Sequence, residues 1–341
     1  MDNAQIIQQI LHQIKDAKVK STASSTIYED KNHHDHQHEF LFFIKPEILQ
    51  LDDENKLKAV LELLLRKISH FGFVIRDIRL LGASYLEKYN IIAQHYGVIN
   101  ALSREPLKVF TTEAKNKFRE VYGHAPEDVK VLGSLQFLQQ YPSYTPDSLQ
   151  QLWQQSQTVK LSGGNYCALV KTGGENIYLI NGFHPKQLIH FTAKGRLIIP
   201  FKLTGNLDWA VARNQFIGKT NPTDAAPGSL RNELLVNKEK FGLNEVSAGQ
   251  NGFHLSAGPV EGLIELMRYG SDFAAGDIKK PADFSFGKLL LKEFSVEATE
   301  IICSNRMVSY KGNKISTFDL TEEKNSGEAI EILKECDLGN L

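Results

Sequence analysis

Residues 218–265 read GKTNPTDAAPGSLRNELLVNKEKFGLNEVSAGQNGFHLSAGPVEGLIE and hold a dense set of groups that could handle phosphate. Thr220-Asn221-Pro222 opens a turn, and Pro227-Gly228 makes another just before Arg231. Asn251, His254 and Ser256 follow, with Glu265 eleven residues past the histidine. Hydroxyl, guanidinium, amide, imidazole and carboxylate together can grip a phosphate and attack it. Neutral imidazole is nucleophilic near pH 7, so His254 is the candidate nucleophile.

The elements that must position these groups are short. Residues 251–254 read as a strand ending at His254, and Pro259 opens a helix, where proline suits the first turn. Upstream, FLFFIK (residues 40–45) is an apolar run read as a buried strand ending at Lys45. Asp52, Asp53 and Glu54 begin a helix with Leu57, Val60, Leu61, Leu64 and Leu65 on its apolar positions. Residues 73–81 alternate as a strand, 84–96 and 104–122 read as helices, 197–203 as a further strand, and 206–217 as a helix ending at Gly218.

The segment from Thr220 to Glu265 resembles the nucleoside diphosphate kinase family. The family pattern TNPxDxxPGxxR, then N-x-x-H-x-S, then a helical glutamate, is matched by Thr220, Asn221, Pro222, Asp224, Pro227, Gly228 and Arg231. Asn251, His254 and Ser256 continue it, and Glu265 completes it. FLFFIKPE (40–47) is similar to the family's first strand with its lysine, and His95-Tyr96 to its His-Tyr pair near the nucleotide. The resemblance implies an α+β fold with a ferredoxin-like βαββαβ core and helices on the sheet. It implies transfer of the γ-phosphoryl of a nucleoside triphosphate, through a phosphohistidine at His254, to a nucleoside diphosphate. Glu265 and Ser256 would orient the ring, and Lys45 would place a charge at the transferring group. Tyr96, Arg213, Thr220, Arg231 and Asn251, with Lys45, would hold the nucleotide. Magnesium would arrive with the nucleotide, and no metal-ligating residue is assigned. Where the family has an arginine six residues before the threonine, this chain has Asn214, with Arg213 one place earlier. The segment from Gly205 is one residue longer than usual, so a shifted helix would restore Arg213. Two other readings stand beside this one: a catalytically weak nucleotide-binding or interaction module, and a phosphotransferase with a different acceptor.

The 341 residues exceed the family's usual length and predict additions. The expected organisation is an N-terminal helix and His-rich linker (1–39), the first half of the core (40–123), an inserted α/β subdomain (124–195), the second half with the site (196–272) and a C-terminal extension (273–341). The four histidines at 33, 34, 36 and 38 sit in a polar stretch that reads as a linker, or as a binder of a divalent transition metal. Gly173-Gly174, between two strand-like runs, predicts a hairpin. Residues 299–303 and 307–310 read as strands, and 321–336 as an acidic helix. A net charge of −1 gives no electrostatic case for nucleic acid or an anionic membrane. No apolar run approaches the roughly 20 residues that span a bilayer, and the start lacks a signal-peptide core. Cys167, Cys303 and Cys336 are odd in number and far apart, which predicts no disulfide framework and a reducing, cytoplasmic setting. Oligomeric state is not legible.

Overall fold

The computed structural model describes residues 2–20, 22–30 and 36–338, and the chain divides into two compact units. The first comprises Met1–Tyr85 with Lys194–Leu341, and the second Leu86–Ala193. Among the described residues no helix is long and apolar enough to cross a membrane.

The first unit is built on a five-stranded sheet: β1 (Ser24–Glu29), β2 (His38–Ile44), β3 (Val74–Gly82), β4 (Leu197–Gly205) and β5 (Phe253–Leu255). Their order is β1-β3-β4-β2-β5, and every neighbouring pair is antiparallel. Strand β2 lies inside the sheet, between β4 and β5, and is buried on both faces, which explains its continuous apolar sequence. Side chains alternate across a strand, so Phe40, Phe42 and Ile44 join the main core, while Glu39, Leu41 and Phe43 face the other way. That core includes helices α1 (Asn3–Lys20) and α2 (Glu54–His70), whose leucines and isoleucines recur at helical spacing. The Asp53 carboxylate caps α2, accepting the N–H groups of Asn55 and Lys56 at 2.9 and 3.3 Å. On the second face lies α3 (Pro259–Gly270). Its Gly262 is forced by packing, because a Cβ there would sit 2.9 Å from the Trp209 ring.

Several sequence expectations change here. Residues 24–29, expected in a linker, form edge strand β1, anchored by buried Ile27 and paired with β3. Of the four histidines, His33 and His34 lie outside the described residues. His38 is buried at the start of β2, its Nδ1 2.8 Å from Ser326 Oγ, and so is a packed core group. Residues 299–303 end a helix, Val296–Cys303, rather than forming a strand; the Ser295 hydroxyl caps it by accepting the Ala298 N–H at 3.1 Å. Residues 307–310 are a strand, paired with Asn313–Ser316. The acidic C-terminal helix is confined to Ser326–Lys334.

The second unit begins at Leu86, well before the boundary expected at 124. Its sheet has the order Val131–Gly133, Glu175–Ile180, Asn165–Thr172, Thr158–Ser162; the first pair is parallel and the others antiparallel. Helical residues Leu102, Phe110, Ala114 and Phe118 pack with Val131, Leu161, Cys167, Tyr178 and Ile180, so the helices between 91 and 122 serve this core. The Gly173-Gly174 hairpin is present, with φ of +58° and +81° at the two glycines, the left-handed pair a tight two-residue turn needs.

Candidate functional site

His254 sits in the middle of the short strand β5, opposite Phe43 of β2. Its ring stacks on the Phe43 ring with centroids 4.5 Å apart and planes 21° from parallel. That register turns His254 towards α3, where Glu265 lies. His254 Nε2 is 2.9 Å from Glu265 Oε2, and the Ser256 hydroxyl approaches the same oxygen at 2.6 Å. Ser256 Oγ also lies 3.2 Å from the Leu41 carbonyl oxygen, which pins it to β2. The Glu265 side chain is 2% exposed and that of His254 16%, so a dry carboxylate backs a partly accessible ring. With a carboxylate accepting from Nε2–H, the neutral tautomer carries its lone pair on Nδ1.

One turn before Glu265, the Glu261 carboxylate accepts the Ala257 N–H at 3.2 Å. Burial, reinforced by the Glu265 charge and opposed by Arg213, pushes the Glu261 carboxyl up to about 8. Two carboxyls thus share one helix face, and burial with the Glu265 charge favours the protonated form of Glu261.

Arg213 is carried by a helix that starts at Trp209 and widens at once into a π-helical turn, Ala212–Ile217. Such a turn takes in one more residue than an α-helical one. Arg213 Nη1 donates to the Leu255 carbonyl oxygen at 2.7 Å, next to His254, and Nη2 is 3.8 Å from Glu322 Oε1. Asn214 instead donates to the Ala210 carbonyl and to Glu323 Oε1, at 2.9 and 3.2 Å. The Glu323 N–H donates to the Ala257 carbonyl at 2.8 Å, so a C-terminal strap binds the segment just after His254. Gly258 admits this strap, since a Cβ there would lie 2.3 Å from the Thr321 carbonyl oxygen.

Lys45 and Asn251 form a second cluster. Lys45 Nζ donates to Asn251 Oδ1 at 2.7 Å, and Asn251 Nδ2 donates to the Thr220 and Ala248 carbonyls at 2.9 and 3.2 Å. The Asn251 amide therefore ties the strand-end lysine to the Thr220 turn, while Thr220 itself is exposed. Burial brings the Lys45 ammonium down to about 8, opposed by Glu47 and assisted by the Arg231 charge. Glu47 Oε1 accepts the Gly252 N–H at 2.9 Å. Gly252 has φ +78°, and a Cβ would fall 2.3 Å from Leu234 Cδ1, so glycine is required. Arg231 is 4% exposed and donates to the Gly218 and Phe253 carbonyl oxygens at 2.8 and 3.0 Å.

The first unit therefore brings His254, Ser256 and Glu265 into direct contact, joins Lys45 to Asn251 and through it to Thr220, and sets Arg213 and Arg231 on the carbonyls flanking His254. Tyr96 belongs to the second unit, between the helices Ile91–His95 and Gly97–Arg104, with its ring near Phe191 and His184. Phe43, Glu47, Glu261 and Glu322 were not singled out from sequence. Glu261 carried a signal, since it precedes Glu265 by four residues on one helix face. Glu322 carried none.

No protein-family model matches the chain, and no curated protein matches it. Among solved structures, the chain is similar to the crystal structure of an NDP kinase from Pyrobaculum aerophilum. The two share 14% identity over 71% of this chain and 98% of that one, with a TM-score of 0.35. At that level of likeness, the function has to be argued from the side chains.

Proposed function

We propose that the first unit has a ferredoxin-like βαββαβ core and acts as a nucleoside-diphosphate-kinase-like phosphotransferase. The core reading is supported by the sheet: in chain order, β2, β3, β4 and β5 lie as fourth-first-third-second, all antiparallel. The activity is supported by one observation above all, the buried Glu265 oxygen shared by His254 Nε2 and Ser256 Oγ at 2.9 and 2.6 Å.

In this reading, His254 Nδ1 attacks the γ-phosphorus of a nucleoside triphosphate. An N–P bond forms as the bond from the γ-phosphorus to the β–γ bridging oxygen breaks, and the nucleoside diphosphate leaves with that electron pair. The ring keeps its Nε2 proton and becomes cationic, and Glu265 stabilises that cation. A second nucleoside diphosphate then takes the phosphoryl group by the reverse path. Lys45, Arg213 and Arg231 supply positive charge for the polyphosphate, with Thr220 and Asn251 as hydrogen-bonding partners. Magnesium is part of the nucleotide substrate, bridging its phosphates, and no residue of the chain is assigned to it.

One observation favours a second reading, a nucleotide-binding module with little turnover. Arg231 and Lys45 already spend hydrogen bonds on internal acceptors, as scaffold groups do. Incubation with γ-labelled ATP separates the two. The phosphotransferase yields an acid-labile, base-stable labelled protein, and His254→Ala yields none. Labelling of the alanine variant at the wild-type rate would remove His254 from the mechanism; nucleotide binding without labelling of the wild type would establish the second reading.

A further inference from the structure

Strand β2 sends Glu39, Leu41 and Phe43 to the face that carries α3, and their surroundings differ. Glu39 and Leu41 line a polar cleft on that face. Phe43 meets His254 instead. The two residues are directly opposite each other in the β2–β5 pair, where antiparallel strands bring side chains to about 4.5–5.5 Å. Phe43 is fully buried, and the Tyr269 ring of α3 lies 5.5 Å from it, centroid to centroid.

The rings of Phe43 and His254 are 21° from parallel with centroids 4.5 Å apart, so the imidazole lies over the phenyl face and both of its nitrogens stay at the rim. Nε2 is taken by Glu265 at 2.9 Å. The face of an aromatic ring carries negative charge density and attracts a cation within about 6 Å of its centroid. A neutral imidazole gains little there beyond van der Waals contact. An imidazolium gains an electrostatic attraction as well, and the burial of Phe43 keeps water from screening it. Glu265 reaches the ring at its edge and Phe43 on its face, so two groups act on one charge from different directions.

We infer that Phe43 is a positioning residue for the His254 ring and stabilises the cationic form of that ring through its π face. Its part in turnover rests on the phosphotransferase reading; the contact itself does not. In that reading Nδ1 bonds the γ-phosphorus, the bridging P–O bond breaks, and its electron pair leaves with the diphosphate. The ring keeps its Nε2 proton and takes the positive charge. A proton on Nδ1 creates the same charge on the same ring, so protonation reports on the contact without nucleotide. Within the first unit, the other groups that bear on this charge are Glu265, with Ser256 on the same oxygen, Glu261 one turn earlier on α3, and Arg213 at the Leu255 carbonyl. A change confined to the π electrons of residue 43 leaves all of these in place.

Replacing Phe43 by 4-fluorophenylalanine and by 3,4,5-trifluorophenylalanine tests the inference, because fluorine withdraws charge from the face and nearly keeps the shape of the ring. The His254 ring-proton resonance, assigned by its loss in His254→Ala, is followed against pH by NMR. The expected result is a titration midpoint that falls stepwise with fluorination, by about 0.7–1.5 pH units over the series. Single-turnover labelling from γ-labelled ATP slows in the same order, by about five- to thirtyfold, with nucleotide affinity unchanged. Phe43→Leu, which fills the space without a π face, falls at the end of the series. Thermal unfolding checks the fold, and if the leucine variant does not fold, the fluorinated rings still decide. A midpoint that stays the same across the series would overturn the inference and leave Phe43 a packing residue. Labelling at the wild-type rate in variants whose midpoint has moved would overturn its part in turnover. A wild type that takes no label while its midpoint moves as expected would remove the phosphotransferase reading and leave the contact standing.

Discussion

Replacing Glu265 by glutamine keeps the size of the side chain and removes its charge. The position is 2% exposed, and its Oε2 receives both the imidazole and the Ser256 hydroxyl, at 2.9 and 2.6 Å. The amide can still accept a hydrogen bond, so the ring stays placed. The attraction lost is the one that grows when Nδ1 is phosphorylated and the ring becomes cationic, so the loss falls on the transition state rather than on substrate binding. Hydrogen bonds to charged groups contribute about 1.5–3 kcal/mol. At about 1.36 kcal/mol per tenfold, that is a decrease of about 10- to 150-fold in phosphoenzyme formation. Rapid-quench single turnover with γ-labelled ATP measures it, with thermal unfolding as the check on the fold. Nucleotide affinity should change little, because Glu265 faces the ring and not the cations proposed to hold the phosphates. If the variant labels at the wild-type rate, Glu265 does not stabilise the imidazolium and the triad is a packing arrangement. If instead affinity falls and the rate is kept, Glu265 shapes the pocket and not the nucleophile.

The remaining predictions concern the groups around this centre. Lys45 loses its proton near pH 8, so phosphoryl transfer should decline as pH rises through about 8; Lys45→Arg should remove that alkaline limb of kcat/KM, and an unchanged limb would exonerate the lysine. Arg231→Ala should lower unfolding stability as well as triphosphate affinity, because each of its bonds to the Gly218 and Phe253 carbonyls is a charge-assisted one of about 1.5–3 kcal/mol. Chemical denaturation with and without nucleotide separates the two effects, and a stability equal to wild type would show that the carbonyl bonds contribute nothing. Glu261 has a folded-state pKa raised to about 8 from an ordinary 4.5. The folded chain therefore holds the proton longer than the unfolded chain, and this contribution to stability is full below about 4.5 and lost as pH rises through about 8. Glu261→Gln should flatten that slope in thermal-unfolding midpoints measured between pH 5 and 8, and an unaltered slope would mean Glu261 ionises normally.

What could be read from the sequence was mostly what is local. The His254, Ser256 and Glu265 spacing joins a strand to the helix that follows it, and Pro259 fixes where that helix starts; few residues separate cause from contact. Asn251 and Lys45 were singled out as candidates, but their mutual bond spans 206 positions and comes only with the sheet. The helices between 91 and 122 have amphipathic patterns that do not say which sheet they cover, and the structure gives them to the second unit. Edge strand β1 was hidden because a short strand with one buried residue, Ile27, has no apolar run to announce it. Residues 299–303 show the ambiguity of short apolar runs, which the Ser295 cap resolves in favour of a helix. Which of Arg213 and Asn214 meets the strand depended on the local helix register, and a π-helical turn, which periodicity does not announce, sets Arg213 on the Leu255 carbonyl.

The two faces of β2 explain why one chain can hold a packed core, the His254–Glu265 cluster and a polar cleft on so small a sheet. A strand has a side-chain period of two, so the sequence His38–Ile44 deals its residues alternately to either side. Phe40, Phe42 and Ile44 go to the main core. Phe43 goes to the other face, where it stacks on His254 at 4.5 Å and meets Tyr269 of α3 at 5.5 Å. Glu39, four residues back on that same face, bonds Lys202 at 2.7 Å in the wall of the cleft. A slip of one residue in the β2–β5 pairing would turn His254 into the core and break its contact with Glu265. The register is therefore held by burial of Phe253 and Leu255, which flank His254 and would leave the core, at an energy of about 1.5–3 kcal/mol for each large apolar group. That sum exceeds any single bond at the site, so the geometry of His254 is set by the apolar face it does not touch.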